Sequence, residues 1–167
     1  MAYSASDIER KGFEDDKAKR QLIKSLKKKY PRNLDEIVHD AHFRAFEKID
    51  CLTCANCCRS LGPRLIDKDI ERLSKYLKMK SSLVIQNWLR IDEDGDYVFR
   101  EMPCPFLEAD NRCKVYDHRP KACREYPHTD RKKFHQLLDL TIKNSYVCPA
   151  VNEILGELRI LKTAGKL

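Results

Sequence analysis

Eight cysteines carry most of the chemistry in this 167-residue chain, and four open as Cys51-Leu-Thr-Cys54-Ala-Asn-Cys57-Cys58. The others are Cys104, Cys113, Cys123 and Cys148. Cys-x-x-Cys spacing brings two thiolates from one tight turn to the same ion or cluster. Two overlapping pairs followed at once by a fourth cysteine make a strong ligand pattern. All-thiolate donors suit zinc and iron–sulfur clusters and disfavour magnesium or calcium. Eight thiolates would close two four-coordinate zinc sites. They would equally hold a [4Fe–4S] cluster, since Cys-x-x-Cys-x-x-Cys opens the bacterial ferredoxin run. That run does not continue here, because Cys58 and Arg59 follow immediately. Cysteine followed by proline recurs at Cys104-Pro105 and Cys148-Pro149, which tilts the reading towards iron–sulfur. All eight are metal-ligand candidates, with Cys51, Cys54, Cys57, Cys104 and Cys123 leading; the alternative is that some pack as small buried hydrophobes.

Disulfides are the competing use of an even cysteine count. Met1 to Arg20 is polar and charged, without the apolar stretch of a secretory signal, and no segment approaches a transmembrane span. A reducing, cytoplasmic setting is therefore expected, where clustered thiols are ligands more often than bridges. Cys57 and Cys58 are also neighbours, with Cα atoms ~3.8 Å apart, which disfavours their pairing.

No other constellation competes. His118 and His128 flank Cys123 and are weaker ligand or supporting candidates; His39 and His42 fall within a helical stretch. No Ser/His/Asp arrangement, phosphate-binding loop or zinc-protease pair is present, and five glycines leave no nucleotide fingerprint. Catalytic residues are thus unassigned.

The elements that must position these thiols are mainly helical. Residues 6–30 are expected to form a charged helix, ended by Pro31. Asn33 is placed to cap a second, with Leu34, Ile37, Val38, Ala41, Ala45 and Ile49 at helical spacing. Asp67 is expected to cap a third, and Ser82–Leu89 to form a fourth. Asp94-Gly95 before Tyr97-Val98-Phe99 predicts a hairpin, and Phe106-Leu107 with Lys114-Val115-Tyr116 a second one. Pro120 opens a short helix carrying Cys123, residues 130–143 a longer one, and Pro149 the last. The expectation is a mainly α fold with small β-hairpins (α+β) and an irregular cysteine-rich centre between helices. Its organisation reads as an N-terminal helical segment over 1–48, a metal or iron–sulfur domain over 49–150 and a C-terminal helix over 151–167. Hydrophobic content of 42% allows only a modest core, and metal–thiolate bonds are one remedy for that.

The net charge is +7, and Lys17 to Arg32 holds eight basic residues and no acid. Such a run offers a face to a protein partner or a polyanion, or is simply a solvated helix surface. Nucleic acid is the less favoured partner, because no aromatic stacking pattern accompanies the run. A membrane partner is not expected.

Cys51-Leu-Thr-Cys54-Ala-Asn-Cys57-Cys58-Arg59, Cys104-Pro-Phe106-Leu107, Arg112-Cys113-Lys-Val-Tyr116, Arg119-Pro120-Lys-Ala-Cys123-Arg124-Glu-Tyr126-Pro127 and Cys148-Pro149 together resemble the YkgJ-type cysteine cluster family. The resemblance spans about residues 49–150 and matches all eight cysteines in order. It implies a zinc- or iron-chelating CxxCxxCC domain whose biological role is otherwise undefined. It also draws attention to Arg119, Arg124 and Tyr126. Where a glycine often stands in the first motif, this chain has Ala55-Asn56, and asparagine tolerates the left-handed backbone that glycine would supply. A related cluster in flagellin lysine methylase gives an enzymatic precedent, although no S-adenosylmethionine fingerprint accompanies it here. Three functions are thus expected in order: a metal-chelating module, an iron–sulfur enzyme or redox protein modifying protein or RNA, and a zinc-stabilised nucleic-acid-binding module.

Overall fold

Asp15 breaks the charged N-terminal stretch in two. In the computed structural model, which describes residues 5–167, α1 spans Ala5–Phe13 and α2 spans Asp16–Lys28. Asp15 between them takes a left-handed conformation (φ 58°). Residues 6–30 are therefore two helices rather than one. The expected N-terminal segment also begins with four residues, 1–4, that lie outside the described ones.

α3 follows at Leu34–Lys48 with Asn33 in the cap position. The short α4 (Cys51–Cys54) and α5 (Asn56–Ser60) come next. Then come α6 (Asp67–Tyr76), α7 (Ser81–Trp88), and a hairpin of β1 (Leu89–Ile91) and β2 (Tyr97–Phe99). A 3₁₀ turn at Tyr116–His118 precedes α8 (Lys121–Glu125). A second 3₁₀ turn (Phe134–Leu137), α9 (Leu138–Asn144) and α10 (Pro149–Thr163) complete the chain. Among the described residues the fold is mainly α with one small antiparallel hairpin, as its sequence suggests. Among the described residues no helix is long and apolar enough to cross a membrane.

Two compact units emerge. The first takes the chain up to Cys54 together with Pro127–Leu167, and the second is Ala55–Tyr126. In the first, α10 packs against α3, with α1 and α2 also on it and α2 against α9. Val38, Ala41 and Ala45 of α3 and Val151, Ile154, Leu155 and Leu158 of α10 are buried. Burying each larger side chain contributes ~1.5–3 kcal/mol. Gly12 meets Tyr146 so closely that a Cβ there would stand 2.7 Å from the Tyr146 Cα. The buried Lys19 ammonium closes the end of α1, donating to the carbonyls of Lys11 (3.2 Å) and Gly12 (2.8 Å) and to Asn152 Oδ1 (2.6 Å). Burial pushes its pKa below the usual lysine value, while nearby carboxylates oppose that.

The second unit has its own core of Leu65, Ile70, Leu73, Val84, Leu89, Phe99, Phe106 and Val115, against which Trp88, Cys104 and Cys113 pack. Strands β1 and β2 pair Leu89 with Phe99 and Ile91 with Tyr97. The turn is held by Asp92, whose Oδ1 accepts from the backbone N–H of Asp94 (3.0 Å) and Asp96 (2.9 Å), with Gly95 at φ 80°. The second expected hairpin is reduced to one isolated bridge, Leu107–Cys113, continued by a bond from Lys114 N–H to the Phe106 carbonyl (2.9 Å). Residues 130–133 are likewise not helical.

Candidate metal centre

The CxxCxxCC motif is a break between two short helices. Ala55 lies between α4 and α5 with φ 46°, and Asn56 is already the first residue of α5. The left-handed position thus falls on alanine, not on asparagine, where an L side chain costs about 1–2 kcal/mol. That break divides the cysteines. Cys51, Cys54 and Cys148 belong to the first unit; Cys57, Cys58, Cys104, Cys113 and Cys123 belong to the second.

In the second unit the backbone ties the cysteine segments together. The Cys58 carbonyl accepts from Cys104 N–H (2.8 Å), and Leu107, one turn on, bridges to Cys113. The nearby backbone amides of Phe106 and Leu107 hold the Cys104 pKa down against burial, and that of Val115 does the same at Cys113. Amides two or three residues past a cysteine favour its thiolate form and orient its sulfur, as partners of metal ligands do.

Cys123 arrives on α8, which Asp69 positions. The Asp69 side chain is only 2% exposed. Its carboxylate accepts from the backbone N–H of Ile66 (3.2 Å) at the start of α6 and of Lys121 (3.0 Å) at the start of α8, and pairs with Arg72 (2.5 Å). Arg72 in turn donates to the carbonyls of His118 (3.3 Å) and Arg119 (2.6 Å). Asp69, not Asp67, is thus the capping carboxylate of α6, and it organises the approach to Cys123. Neither Asp69 nor Arg72 stood out in the sequence. The available signal was an acid three residues into a helix, where a side chain reaches back to the helix start.

The Cys58, Cys104 and Cys113 thiols each act electrostatically on Cys123. Burial pushes Cys123 up to about 12, reinforced by Cys104, Cys58 and Cys113. Burial likewise pushes Cys104 up to about 11, with Cys58 and Cys113 adding to it and the amides opposing. Cys113 is raised by burial and by Cys58. Cys58 moves the other way, down to about 7, because the Cys57 thiol hydrogen-bonds to it (Sγ–Sγ 3.9 Å) and Arg119 and Arg59 lie nearby. Arg119 is fixed in place: its guanidinium lies 3.6 Å over the Tyr116 ring and its Nε donates to the Tyr116 carbonyl (2.7 Å). Arg59 hydrogen-bonds to Asn111, whereas Arg124 is exposed on α8.

In the first unit Cys148 occupies the N-cap of α10, where the nearby amides of Val151 and Ala150 favour its thiolate. Burial pushes its thiol to about 12, against those amides, and Cys51 and Cys54 raise it further. None of the described cysteines is in a disulfide. The histidines have other contacts: His118 stacks on Tyr76 (4.3 Å), and His42 Nδ1 meets Thr129 Oγ1 (2.8 Å). His128 takes a left-handed conformation before Thr129.

The donors fit a soft metal in kind: thiols, amide-supported, with cationic arginine beside them. Among the described residues no three Cys, His, Asp or Glu side chains stand close enough to hold an ion as they are placed.

Comparison with known proteins agrees with this donor chemistry. The CxxCxxCC family model, whose description reads "Putative zinc- or iron-chelating domain", matches residues 50–148, from just before Cys51 to the last cysteine. The chain belongs to the CxxCxxCC family. Over 82 residues this CxxCxxCC chain is 29% identical to the uncharacterized protein MJ0661 of Methanocaldococcus jannaschii. That match covers 47% of the chain and 44% of the relative, so it spans less than half of either. No solved structure matches it.

Proposed function

We propose that the protein chelates a soft metal centre, a [4Fe–4S] cluster or zinc, with Cys58, Cys104, Cys113 and Cys123 as the principal ligands. Cys51, Cys54 and Cys148 form a separate thiol group in the first unit, and Cys57 supports Cys58. The observation that carries this reading is the backbone linkage of the cysteine segments: the Cys58 carbonyl accepts from Cys104 N–H (2.8 Å) and Leu107 bridges to Cys113, beside the buried Cys123. Four thiolates around Zn²⁺ leave a formal charge of about −2, which Arg119 and Arg59 offset. When bound, zinc would supply cross-linking of the fold and a cluster would add one-electron chemistry.

Within this arrangement each residue has a definable part. Phe106, Leu107 and Val115 amides aim the sulfurs, Arg119 holds positive charge beside them, and Asp69 sets the start of the helix bearing Cys123. Anaerobic purification with metal and sulfide analysis and a visible spectrum tests the proposal. Bound zinc without colour, or brown protein with iron and sulfide, supports it. Protein that stays fully folded with an unchanged melting curve after exhaustive chelation would overturn it.

A further inference from the structure

The basic run at Lys17–Arg32 does not act alone. In the first unit the fold brings a second basic segment, Arg131-Lys132-Lys133, to its C-terminal end. Two backbone bonds fix that segment: the Asp35 carboxylate accepts from the N–H of Lys133 (2.6 Å) and of Phe134 (2.8 Å). Asp35 lies in the first turn of α3, three residues after Arg32. A salt bridge from Lys27 to Asp139 (2.6 Å) ties α2 to α9 on the same side. Between the two segments Tyr30 and His135 stack, 4.6 Å apart and within 8° of parallel.

The charge balance is one-sided. Lys28, Lys29, Arg32, Arg131, Lys132 and Lys133 are all exposed. Of the four acids in residues 24–36 and 130–139, Asp35 is engaged by backbone amides and Asp139 by Lys27, leaving Glu36 and Asp130. Tyr30 remains 44% exposed at the centre of this surface. Cations track a phosphate backbone, and a flat aromatic stack among them offers a base a face to stack on. An acidic protein would use the charges but gain nothing from the parallel rings.

We propose that this face binds single-stranded nucleic acid, with phosphates on the two basic segments and a base on the Tyr30–His135 stack. The sequence alone lacked this stacking pattern because Tyr30 and His135 lie far apart along the chain. Binding here is independent of which metal the cysteines hold.

The test uses the metal-loaded full chain and fluorescence anisotropy with labelled twelve-nucleotide single strands of RNA and DNA. A duplex of the same length and a poly-glutamate peptide serve as competitors, from 50 to 300 mM salt. Expected is saturable single-strand binding that weakens steeply with salt. Tyr30→Ala should lower single-strand affinity about tenfold, while Tyr30→Phe, which keeps the ring, leaves it near wild type. Lys28→Glu with Lys132→Glu should lower affinity more than tenfold and flatten the salt dependence. Unchanged melting curves and metal content would separate these effects from misfolding. Absence of binding at 50 mM salt, indifference to Tyr30→Ala, or displacement by poly-glutamate more readily than by unlabelled single strand would each overturn the proposal.

Discussion

Cys58 differs from its neighbours in what it does near neutral pH. With its thiol lowered to about 7 by Cys57 and the arginines, it is about half ionised there, whereas Cys104 (about 11) and Cys123 (about 12) keep their protons. Metal binding needs thiolates, so loading must expel the protons held by the raised groups. Cys113, also raised, joins them. The sign follows: apparent metal affinity rises with pH, with a log–log slope of about three above pH 7 that steepens towards four below it. Chelator competition between pH 6.5 and 8.5 measures this directly, and a flat profile would remove these four as ligands. Cys58→Ser or Cys123→Ser should strip metal from the second unit and lower its melting temperature, because a bound centre contributes to folding. Ala55 offers a backbone counterpart. Its left-handed conformation already opposes a side chain, and Ala55→Val adds branching at Cβ. A loss of about 1–2 kcal/mol in urea unfolding is expected.

At the scale of elements, Asp69 is the most consequential contact that touches no thiol. Asp69→Ala would leave two helix starts uncapped and Arg72 without its buried partner. The expected cost is about 3 kcal/mol, with weakened metal retention because α8 carries Cys123. Thermal melts and metal content of the same sample check both. Gly12→Ala should also destabilise, by about 1–3 kcal/mol, since the obstacle 2.7 Å away is the Tyr146 backbone and not a movable side chain. Helices α3, α7 and α10 were legible in the sequence from apolar periodicity and Pro149, and the first hairpin from Asp94-Gly95. The split at Asp15 was not legible, because the break is enforced by packing: Lys19 reaches back to the end of α1 and across to Asn152. The second hairpin shrank to the Leu107–Cys113 bridge because the chain turns away at once, Tyr116 already opening the 3₁₀ turn Tyr116–His118. Cysteine spacing announced a ligand set, but the division of the eight between two units depends on residue 55 and on contacts made far along the chain.

At the scale of the whole molecule, chelation should act first on the second unit. Trp88 belongs to it and packs against Phe106 (5.3 Å), two residues after Cys104, which packs on the same core. Removing metal should therefore change Trp88 emission before the helix signal of α3 and α10 falls. The first unit, meanwhile, is completed by two stretches of chain that flank the entire second unit. Pairing α3 with α10 means closing a loop over roughly a hundred intervening residues, from Lys48 to Pro149. Chain entropy penalises that closure, by ~0.6 kcal/mol for each doubling of free loop length. Once the inserted segment has collapsed, it no longer behaves as a free loop, and its ends are less widely distributed. The cysteine-bearing insert thereby bears on folding speed as well: its own collapse shortens the effective loop that the flanking helices must close.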